Sequence, residues 1–431
     1  MRILLITDEE WNDSVYGNNV LTNWFAGFDA EFAQIYCSPG LPLNNVCRRY
    51  FRITDGEMAR SLFFGPKAGH VVSMPEDDVQ QQLSKENAQR KGVYGVMKRV
   101  STVIHTPVML LRDFIWCNGH YNKQAMKEFI DNFNPDIVYC PRLITPKLMR
   151  LEKLVSTMTT APFVAFTADD EASLMQVNYS PLYWMRRLWI RHKLKSHVKL
   201  YKHYFTFSQD QAEDYTREYG LPTSTLYKCG DFKGDYHAKE INQPIQMVYA
   251  GGLYCNRWKT LGKIGEALKE INKDGIKIVL NVYSQDELTN AQRQALSEQN
   301  YIYFKGAVST TELSEIYRKA DIALHVESFD KKYKYATRVS FSTKIIDLMA
   351  STCAILAICW EKHAGYQYLH DHDAAFCVAD YNDILSTLQH ICQEPESIQE
   401  YAKKAWDCGS RYHDRMVIQN QIKGTFNSLL T

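Results

Sequence analysis

Short apolar runs recur along the whole chain, and each is closed by polar residues, glycine or proline. They are rich in β-branched and aromatic residues and do not alternate strictly with polar ones, which is typical of strands buried on both faces of a sheet. The pattern predicts strands at residues 2–7, 32–37, 136–141, 163–168, 203–208, 247–252, 276–284, 301–306, 321–326, 354–359 and 374–379.

Helical patterns lie between these runs. Apolar residues recur at helical spacing in residues 260–272, and residues 310–320 begin with threonine and acids and end with arginine and lysine, as the helix dipole favours. Alternation of strands and helices predicts an α/β protein with parallel sheets and right-handed crossovers.

The alternation of predicted strands and helices is interrupted at two places, and these interruptions indicate the domain organisation. The polar segment 235–245 separates two α/β sets, so we predict Rossmann-like domains at residues 1–238 and 239–410. Residues 55–117 lack this alternation, so we predict that they form an insertion in the first domain. Two such domains place a ligand-binding cleft between the carboxyl ends of their strands.

Composition narrows the classes of protein. Of the 431 residues, 45% are hydrophobic and 23% are charged, which is ordinary for a globular protein. With 50 basic and 49 acidic residues, no overall charge favours nucleic acid, and no nucleic-acid partner is predicted.

The 11 cysteines are scattered without a CxxC pair, which indicates reduced thiols. The N-terminus lacks the apolar core of a signal peptide, and no apolar run reaches the ~18 residues of a membrane span. We therefore expect a cytoplasmic protein.

The segment "FSTKIIDLMAS" (341–351) carries the first candidate chemistry. Ser342 or Thr343 is a suitable helix N-cap, and Lys344 adds a positive charge to an end that already favours anions. Asp347 lies one turn, roughly 5 Å, further along the helix. A nucleoside diphosphate fits this spacing, with phosphates at the helix end and ribose hydroxyls at the carboxylate. An ordinary capped helix with an exposed Lys–Asp pair has the same spacing.

The segment "YAGGLYCNRWKTL" (249–261) is the second candidate. A strand ends at two glycines, the second being Gly252, and the loop that follows carries Arg257 and Lys259. Glycine allows the backbone to approach a phosphate, and arginine can bind a phosphate in bidentate fashion. The pattern is not GxGxxG, which disfavours a nicotinamide cofactor. The alternative is a tight turn with solvated bases.

Three segments together resemble the donor-binding domain of GT-B glycosyltransferases, specifically family 4-like enzymes. They are "MVYAGGLYCNRWKTLGKIGEALKEI", "YIYFKGAVSTTELSEIYRKADIALHV" and "FSTKIIDLMASTCAILAI". The first domain resembles the family loosely, through "PDIVY", "FTADDE" and "FTFSQDQAEDYTREYGL". The resemblance implies transfer of a sugar, with retention of configuration, from a nucleoside-diphosphate sugar to a glycan or lipid-linked acceptor in polysaccharide or glycoconjugate biosynthesis. It also implies that no metal or other cofactor is required, and that residues 411–431 form a helix that packs back on the first domain.

The resemblance also implies roles for single residues. Arg257 and Lys344 resemble the family's diphosphate-binding bases, and Ser342 and Thr343 resemble its phosphate-capping hydroxyls. Asp347 stands where the second acid of the family's E-x7-E signature binds ribose.

The sequence departs from the family at several positions. Val339 replaces the first acid of the E-x7-E signature, so the sequence does not identify the sugar. Lys259 lies close to a family basic position. Gly17 and Asn18 stand where the family often has a glycine pair lining the donor phosphates, and their alternative is a turn with a helix N-cap.

Acidic residues follow the strand at 163–168. Asp169 and Asp170, with Glu171 beside them, are candidates for acid/base chemistry or acceptor binding, because clustered carboxyls raise one another's pKa. Many relatives have a histidine near this position, and here Ala168 precedes the acids. A capping or solvated role is the alternative. The segment "LHDHD" (369–373) resembles a metal cluster by composition only, and no metal site is predicted.

Residues 182–202 are strongly basic and contain no acid. Arg191, Lys195, Lys199 and Lys202 share a helical face, which predicts contact with an anionic membrane surface, on the inner face of the cell membrane. A helix packed on its sheet with a solvated basic face fits equally well.

Two other functions remain open from sequence. One is a GT-B-fold epimerase, which would release nucleotide and a rearranged sugar without an acceptor. The other is a non-catalytic protein that binds nucleotide sugar at a membrane surface. The sequence identifies neither the sugar, the nucleotide base, the acceptor nor the oligomeric state.

Overall fold

The computed structural model describes residues 1–14, 19–63, 65–72, 106–141, 144–170 and 172–430. The chain divides into two compact units. Unit 1 comprises Met1–Leu174, Asn178–Leu226 and Gln419–Thr431, and unit 2 comprises Met175–Val177 and Tyr227–Ile418.

Unit 1 is built on an eight-stranded sheet with the strand order β4-β3-β2-β1-β5-β6-β7-β8. All neighbouring strands are parallel except β3 and β4, which are antiparallel. The strands are β1 (Arg2–Thr7), β2 (Glu31–Tyr36), β3 (Arg49–Arg52), β4 (His70–Val72), β5 (Ile137–Pro141), β6 (Phe163–Thr167), β7 (Tyr201–Thr206) and β8 (Thr223–Thr225).

Helices connect these strands. They are α1 (Val20–Phe25), α2 (Asp55–Leu62), α3 (106–118), α4 (Lys123–Phe133), α5 (Pro146–Val155), α6 (Pro181–His197) and α7 (Gln209–Tyr219). Several begin at a side-chain cap: Thr54 and Glu57 form a reciprocal capping box at α2, and Ser180 caps α6.

Unit 2 has a six-stranded, all-parallel sheet with the order β11-β10-β9-β12-β13-β14. This is the Rossmann order, in which the chain reverses direction across the sheet between its first strand, β9, and its fourth, β12. The strands are β9 (Ile245–Ala250), β10 (Ile278–Tyr283), β11 (Ile302–Gly306), β12 (Ile322–Val326), β13 (Ala354–Ile358) and β14 (Phe376–Val378).

The helices of the C-terminal half complete the architecture. They are α8 (Arg257–Ile271), α9 (Asn290–Ala295), α10 (Thr310–Lys319), α11 (Lys331–Thr337), α12 (Lys344–Met349), α13 (Ala364–Asp371), α14 (Ile384–Gln393), α15 (Glu396–His413) and α16 (Arg415–Ser428). The core side of α8 is lined by Leu261, Ile264, Leu268 and Ile271, the residues whose spacing predicts that helix.

Every strand predicted from an apolar run is present, with ends shifted by a few residues. The prediction omits β3, β4 and β8, which are short and lie at or near a sheet edge, where less apolar surface needs burial. Part of the predicted insertion at 55–117 lies outside the described residues; its described part forms α2, β4 and α3.

The unit boundary lies at Tyr227, ahead of the predicted boundary at 239, because aromatic side chains fix the intervening segment to unit 2. The Tyr227 ring lies 4.7 Å from that of Phe341, and the Phe232 ring lies 5.4 Å from that of Trp406.

The end of the chain returns to unit 1. Gln419 on α16 donates hydrogen bonds to the carbonyl oxygens of Trp24 and Ala26. Phe426 is fully buried, with its ring 5.7 Å from that of Tyr139 on β5. Within the described residues, every helix is too short or too polar to span a membrane.

We expect Phe426→Ala to lower the free energy of unfolding by about 3–5 kcal/mol, because it leaves a cavity in the core of unit 1. Met416→Ala on the same helix removes an exposed side chain and should change it by less than about 0.5 kcal/mol. Urea unfolding measures both. Equal effects of the two substitutions would show that the end of α16 does not belong to the core.

Candidate functional site

The strand order of the unit 2 sheet reverses between β9 and β12, and this switch point places two loops side by side. One loop follows β9 and leads into α8, and the other follows β12 at Glu327. In open α/β sheets a crevice outside the carboxyl ends of the strands forms at this point, and ligands bind there. A small pocket lies at this position, lined in part by Tyr254, Arg257, Ser342 and Lys344.

The loop after β9 has a conformation fixed by hydrogen bonds. Its last residues, Cys255 and Asn256, adopt left-handed φ angles of 56° and 61°, which redirect the chain into α8. Asn256 donates to the Asp330 carboxylate at 2.7 Å, and Asp286 accepts from the backbone N–H of Leu253 at 2.5 Å. The loop therefore presents Arg257 from a defined backbone position.

Arg257 forms a bidentate ion pair with Glu327. Its Nε and Nη2 atoms donate to the two carboxylate oxygens at 3.0 and 2.6 Å; the Glu327 side chain is buried, and the Arg257 side chain is 12% exposed. The guanidinium lies over the Tyr254 ring, 4.4 Å from its centroid. Burial works to raise the pKa of the Glu327 carboxyl, but its basic neighbours His363 and Arg257 outweigh burial and hold that pKa below the ordinary value.

Lys344 reaches the same pocket from the first turn of α12. Its Nζ donates to the Ala250 carbonyl oxygen at 3.0 Å and lies against Gly251, where any side chain would collide with it. Loss of solvent around the ammonium, together with the positive charge of Arg257, lowers the pKa of Lys344. An anion bound beside Arg257 and Lys344 would favour the charged form of Lys344 and so raise its pKa again.

The hydroxyls predicted beside Lys344 differ in position. Ser342 lines the pocket. Thr343 occupies the N-cap position of α12, but its backbone is already helical and its side chain accepts no capping hydrogen bond, so the predicted cap does not form there.

Two further predicted donor residues are held in ion pairs. Asp347 is bound by Lys228, whose Nζ lies 2.6 and 2.9 Å from its carboxylate oxygens. Lys259 pairs with Asp330 at 2.8 Å, which tethers it to the loop after β12. Gly252 lies in the loop, and its carbonyl oxygen accepts from the Tyr249 hydroxyl at 2.7 Å.

Unit 1 has a cavity of about 410 Å³ at the corresponding chain reversal, between the ends of β1 and β5. Its lining includes both acidic and aromatic side chains: Asp8, Glu9, Glu10, Asp13, Asp169, Trp24, Phe166 and Phe207. Carboxylates accept hydrogen bonds from hydroxyl groups, so this cavity suits a hydroxyl-rich molecule.

The other residues predicted for unit 1 are distributed differently. Asp170 forms a buried ion pair with Arg187 at 3.1 Å and also binds Ser173, so this carboxylate connects the segment after β6 to α6. Gly17, Asn18 and Glu171 lie outside the described residues. In the "LHDHD" segment, His370 and Asp371 are exposed, and Asp373 pairs with Lys404 at 2.8 Å.

Sequence reasoning missed Glu327, the residue that holds Arg257, and Asp286 and Asp330, which fix the loop. All three lie just after the carboxyl end of a predicted strand, and this position could have marked them as candidate site residues. Which base each acid binds depends on strand order, which the sequence pattern did not supply.

The comparisons with known proteins bear on the fold. No protein-family model and no curated protein matches the sequence. A sucrose-phosphate synthase structure from Thermosynechococcus elongatus matches 100% of this chain and 99% of its own, with a TM-score of 0.61 and 13% sequence identity. The structure of Anabaena HepE in complex with UDP matches 99% of this chain and 100% of its own, with a TM-score of 0.59 and 12% sequence identity.

The chain has the GT-B fold. The pneumococcal O-GlcNAc transferase GtfA, in complex with UDP and GlcNAc, is also similar, with a TM-score of 0.50 and 14% identity. That match covers 72% of this chain and 61% of the GtfA chain. At such identities the similarity establishes the fold, and the family 4-like assignment stays a prediction.

We expect Glu327→Gln to lower the free energy of unfolding by about 3–5 kcal/mol, because it leaves the buried Arg257 guanidinium without a compensating charge. Glu266→Gln removes the exposed partner of Lys263 on α8 and should cost less than about 1 kcal/mol. Urea unfolding of the two variants measures the difference. A loss below about 1 kcal/mol for Glu327→Gln would contradict a buried, structurally important pair.

Proposed function

We propose that this GT-B protein is a glycosyltransferase that uses a nucleoside-diphosphate sugar, and that unit 2 binds the donor. The observation that carries the proposal is the convergence of Arg257 and Lys344 on one pocket at the chain reversal of a Rossmann-like sheet. With Glu327 included, the three charged groups sum to one positive charge, which favours an anionic ligand.

Arg257 is able to bind phosphate while it remains paired with Glu327. A guanidinium carries five N–H donors, and the pair uses one on Nε and one on Nη2. Three donors remain, including both on Nη1. We therefore assign Glu327 as a positioning residue that fixes the orientation of the guanidinium before a ligand arrives.

Catalysis in this proposal is electrostatic. When the bond between the sugar's anomeric carbon and the diphosphate oxygen breaks, negative charge develops on the departing diphosphate. Arg257 and Lys344 stabilise that charge more strongly in the transition state than in the bound donor, which lowers the barrier. No step assigned to these residues uses a metal ion.

The acceptor in this proposal binds in the cavity of unit 1. Asp169 lines that cavity and is the carboxylate we assign to acceptor binding or to removal of the acceptor hydroxyl proton. We propose a glycan or lipid-linked acceptor, with retention of configuration and a role in polysaccharide or glycoconjugate synthesis; these finer assignments rest on the family resemblance of the motifs.

Two measurements test the general function. Nucleoside diphosphates and their sugar conjugates should raise the melting temperature, since a ligand at 100 times its Kd adds about 2.7 kcal/mol of stability. Incubation of a binding donor with candidate acceptors should release the diphosphate. Release with a rearranged free sugar and no acceptor would identify an epimerase, and binding without any turnover would identify a non-catalytic binding protein.

We expect Lys344→Gln to weaken nucleoside-diphosphate binding and to lower donor turnover by about 2–4 kcal/mol of transition-state stabilisation, or roughly 30- to 1,000-fold. This substitution is the cleaner test, because Lys344 contacts a carbonyl oxygen whereas Arg257 supports a buried pair. Lys263→Gln on α8 is the matched control. Binding calorimetry and turnover in which the two variants match the wild type would reject the donor site.

The basic segment 182–202 bears on the type of acceptor. Three arginines of α6 are engaged within unit 1: Arg186 with Asp113, Arg187 with Asp170, and Arg191 with Glu218. Arg191 is therefore not part of a freely solvated basic face.

The exposed side of α6 nevertheless combines two features of a membrane-docking helix. Leu182, Met185 and Leu188 are about half exposed near its beginning, and Lys195 and Lys199 are exposed near and just beyond its end. Lys202 is exposed at the start of β7. We propose that this face binds an anionic membrane surface, where a lipid-linked acceptor is located.

We expect the protein to sediment with vesicles containing an anionic phospholipid at low salt and to be released at 1 M salt, where the Debye length is about 3 Å. Changing Lys195, Lys199 and Lys202 to glutamine should weaken binding by about 3 kcal/mol, on the order of 100-fold. The control changes Lys263, Lys273 and Lys403 of unit 2 to glutamine. Equal binding by both variants, or none by the wild type at low salt, would favour a glycan acceptor free in solution.

A further inference from the structure

A cluster of two histidines and a cysteine lies at the carboxyl edge of the unit 2 sheet. His325 is in β12, Cys359 directly follows β13, and His363 is the N-cap of α13. One possible ligand atom from each residue lies within 4.8 Å of those of the other two, and all three residues are buried. The centroids of the two imidazole rings lie 5.8 Å apart, and the ring planes are tilted by 49° to each other.

The polar atoms of this cluster are incompletely used by the protein. Within the described residues, the Nε2 atom of His325 is buried without a hydrogen-bond partner, which is a costly arrangement for an imidazole nitrogen. The Nδ1 atom of His363 accepts from the backbone N–H of Gly365 at 3.1 Å, and the described residues offer Nε2 no further hydrogen bond. The Cys359 thiol makes a long contact, 3.7 Å, to the His325 carbonyl oxygen and also interacts with the backbone of Glu327.

Gly365 packs closely beside the unpartnered nitrogen. Gly365 faces both histidines: a Cβ at this position would lie 3.0 Å from His325 Nε2 and 3.3 Å from His363 Cε1. Any larger residue would press on both rings, so the absence of a side chain at Gly365 preserves the cluster.

We propose that His325, Cys359 and His363 bind one Zn²⁺ ion. Two imidazoles and a thiolate form a donor set that zinc prefers, at bond lengths of about 2.0–2.3 Å. Tetrahedral bonds of that length require ligand atoms about 3.3–3.6 Å apart, so small rotations of the side chains would complete the site. Water would fill the fourth position. Binding converts the Cys359 thiol to a thiolate and releases its proton.

The charges around the cluster are compatible with this assignment. Zinc and thiolate together add one positive charge, and the Glu327 carboxylate lies two residues beyond His325. Glu327 is also paired with Arg257, so it offsets the added positive charge only in part.

The ion has a structural role in this proposal. It would join β12, β13 and the beginning of α13, and it would hold the segment that presents Glu327 to Arg257. The three ligands are not among the residues assigned to sugar transfer, and the experiments below measure zinc directly, so their outcome does not depend on transferase activity.

Metal analysis and Co²⁺ substitution of the intact protein test the proposal. We expect about one equivalent of zinc per chain after purification without added metal. After removal of zinc by a strong chelator, Co²⁺ should produce the thiolate-to-metal charge-transfer absorption and the visible bands of tetrahedral cobalt, and added Zn²⁺ should abolish them. Zn²⁺ should also raise the melting temperature of the metal-free protein.

Variants assign the ligands. Cys359→Ser should remove the charge-transfer absorption, and His363→Gln should weaken zinc binding at least tenfold. Cys353→Ser and His413→Gln change another buried cysteine and another buried histidine of unit 2 outside the cluster, and both variants should bind zinc as the wild type does. A wild type that purifies without zinc, binds no Co²⁺ and is not stabilised by Zn²⁺ would overturn the proposal, whether or not the variants fold. Equal loss of zinc in the control variants would overturn the ligand assignment.

Discussion

The buried ion pair between Arg257 and Glu327 is the interaction on which the unit 2 site depends. It joins the loop after the first strand of the sheet to the end of the fourth, across the point where the strand order reverses. A buried pair of this kind contributes little net stability, because both charges lose their hydration. Its consequence is geometric: the guanidinium is held at the crevice with unused donors before any ligand arrives.

The surroundings of this pair follow from the same constraint. Asp286 and Asp330 hold the loop that carries Arg257, and Gly251 makes room for the ammonium of Lys344. Two cations in one pocket repel each other, and the lowered pKa of Lys344 reflects that repulsion together with the loss of solvent. A site of this type is stabilised by an anion, and this is the physical basis for proposing a diphosphate donor.

Unit 1 presents a different chemistry at its own chain reversal. Its cavity is lined by carboxylates, Asp169 among them, and by aromatic rings, with the Trp24 ring packed against Phe166 at 4.8 Å. Phosphate would be repelled by such a lining, whereas hydroxyl groups can donate to it. In the proposed transferase, unit 2 supplies the anion site and unit 1 supplies the hydroxyl-binding site.

The α/β class, the central strands and the two sets of alternating elements are predictable from local sequence, because strands buried on both faces must be apolar and helices between them must carry an apolar face. The sequence also indicated Arg257 and Lys344 as bases near strand ends. Only the tertiary structure decided their partners. Glu327 is 70 residues from Arg257 in the chain and meets it because β9 and β12 are neighbours in the sheet. Likewise, Asp170 and Asp347 read as candidate site acids from local sequence, but the fold pairs them with Arg187 and Lys228. Local pattern specifies which residues are buried, whereas strand order and side-chain reach decide which charges meet.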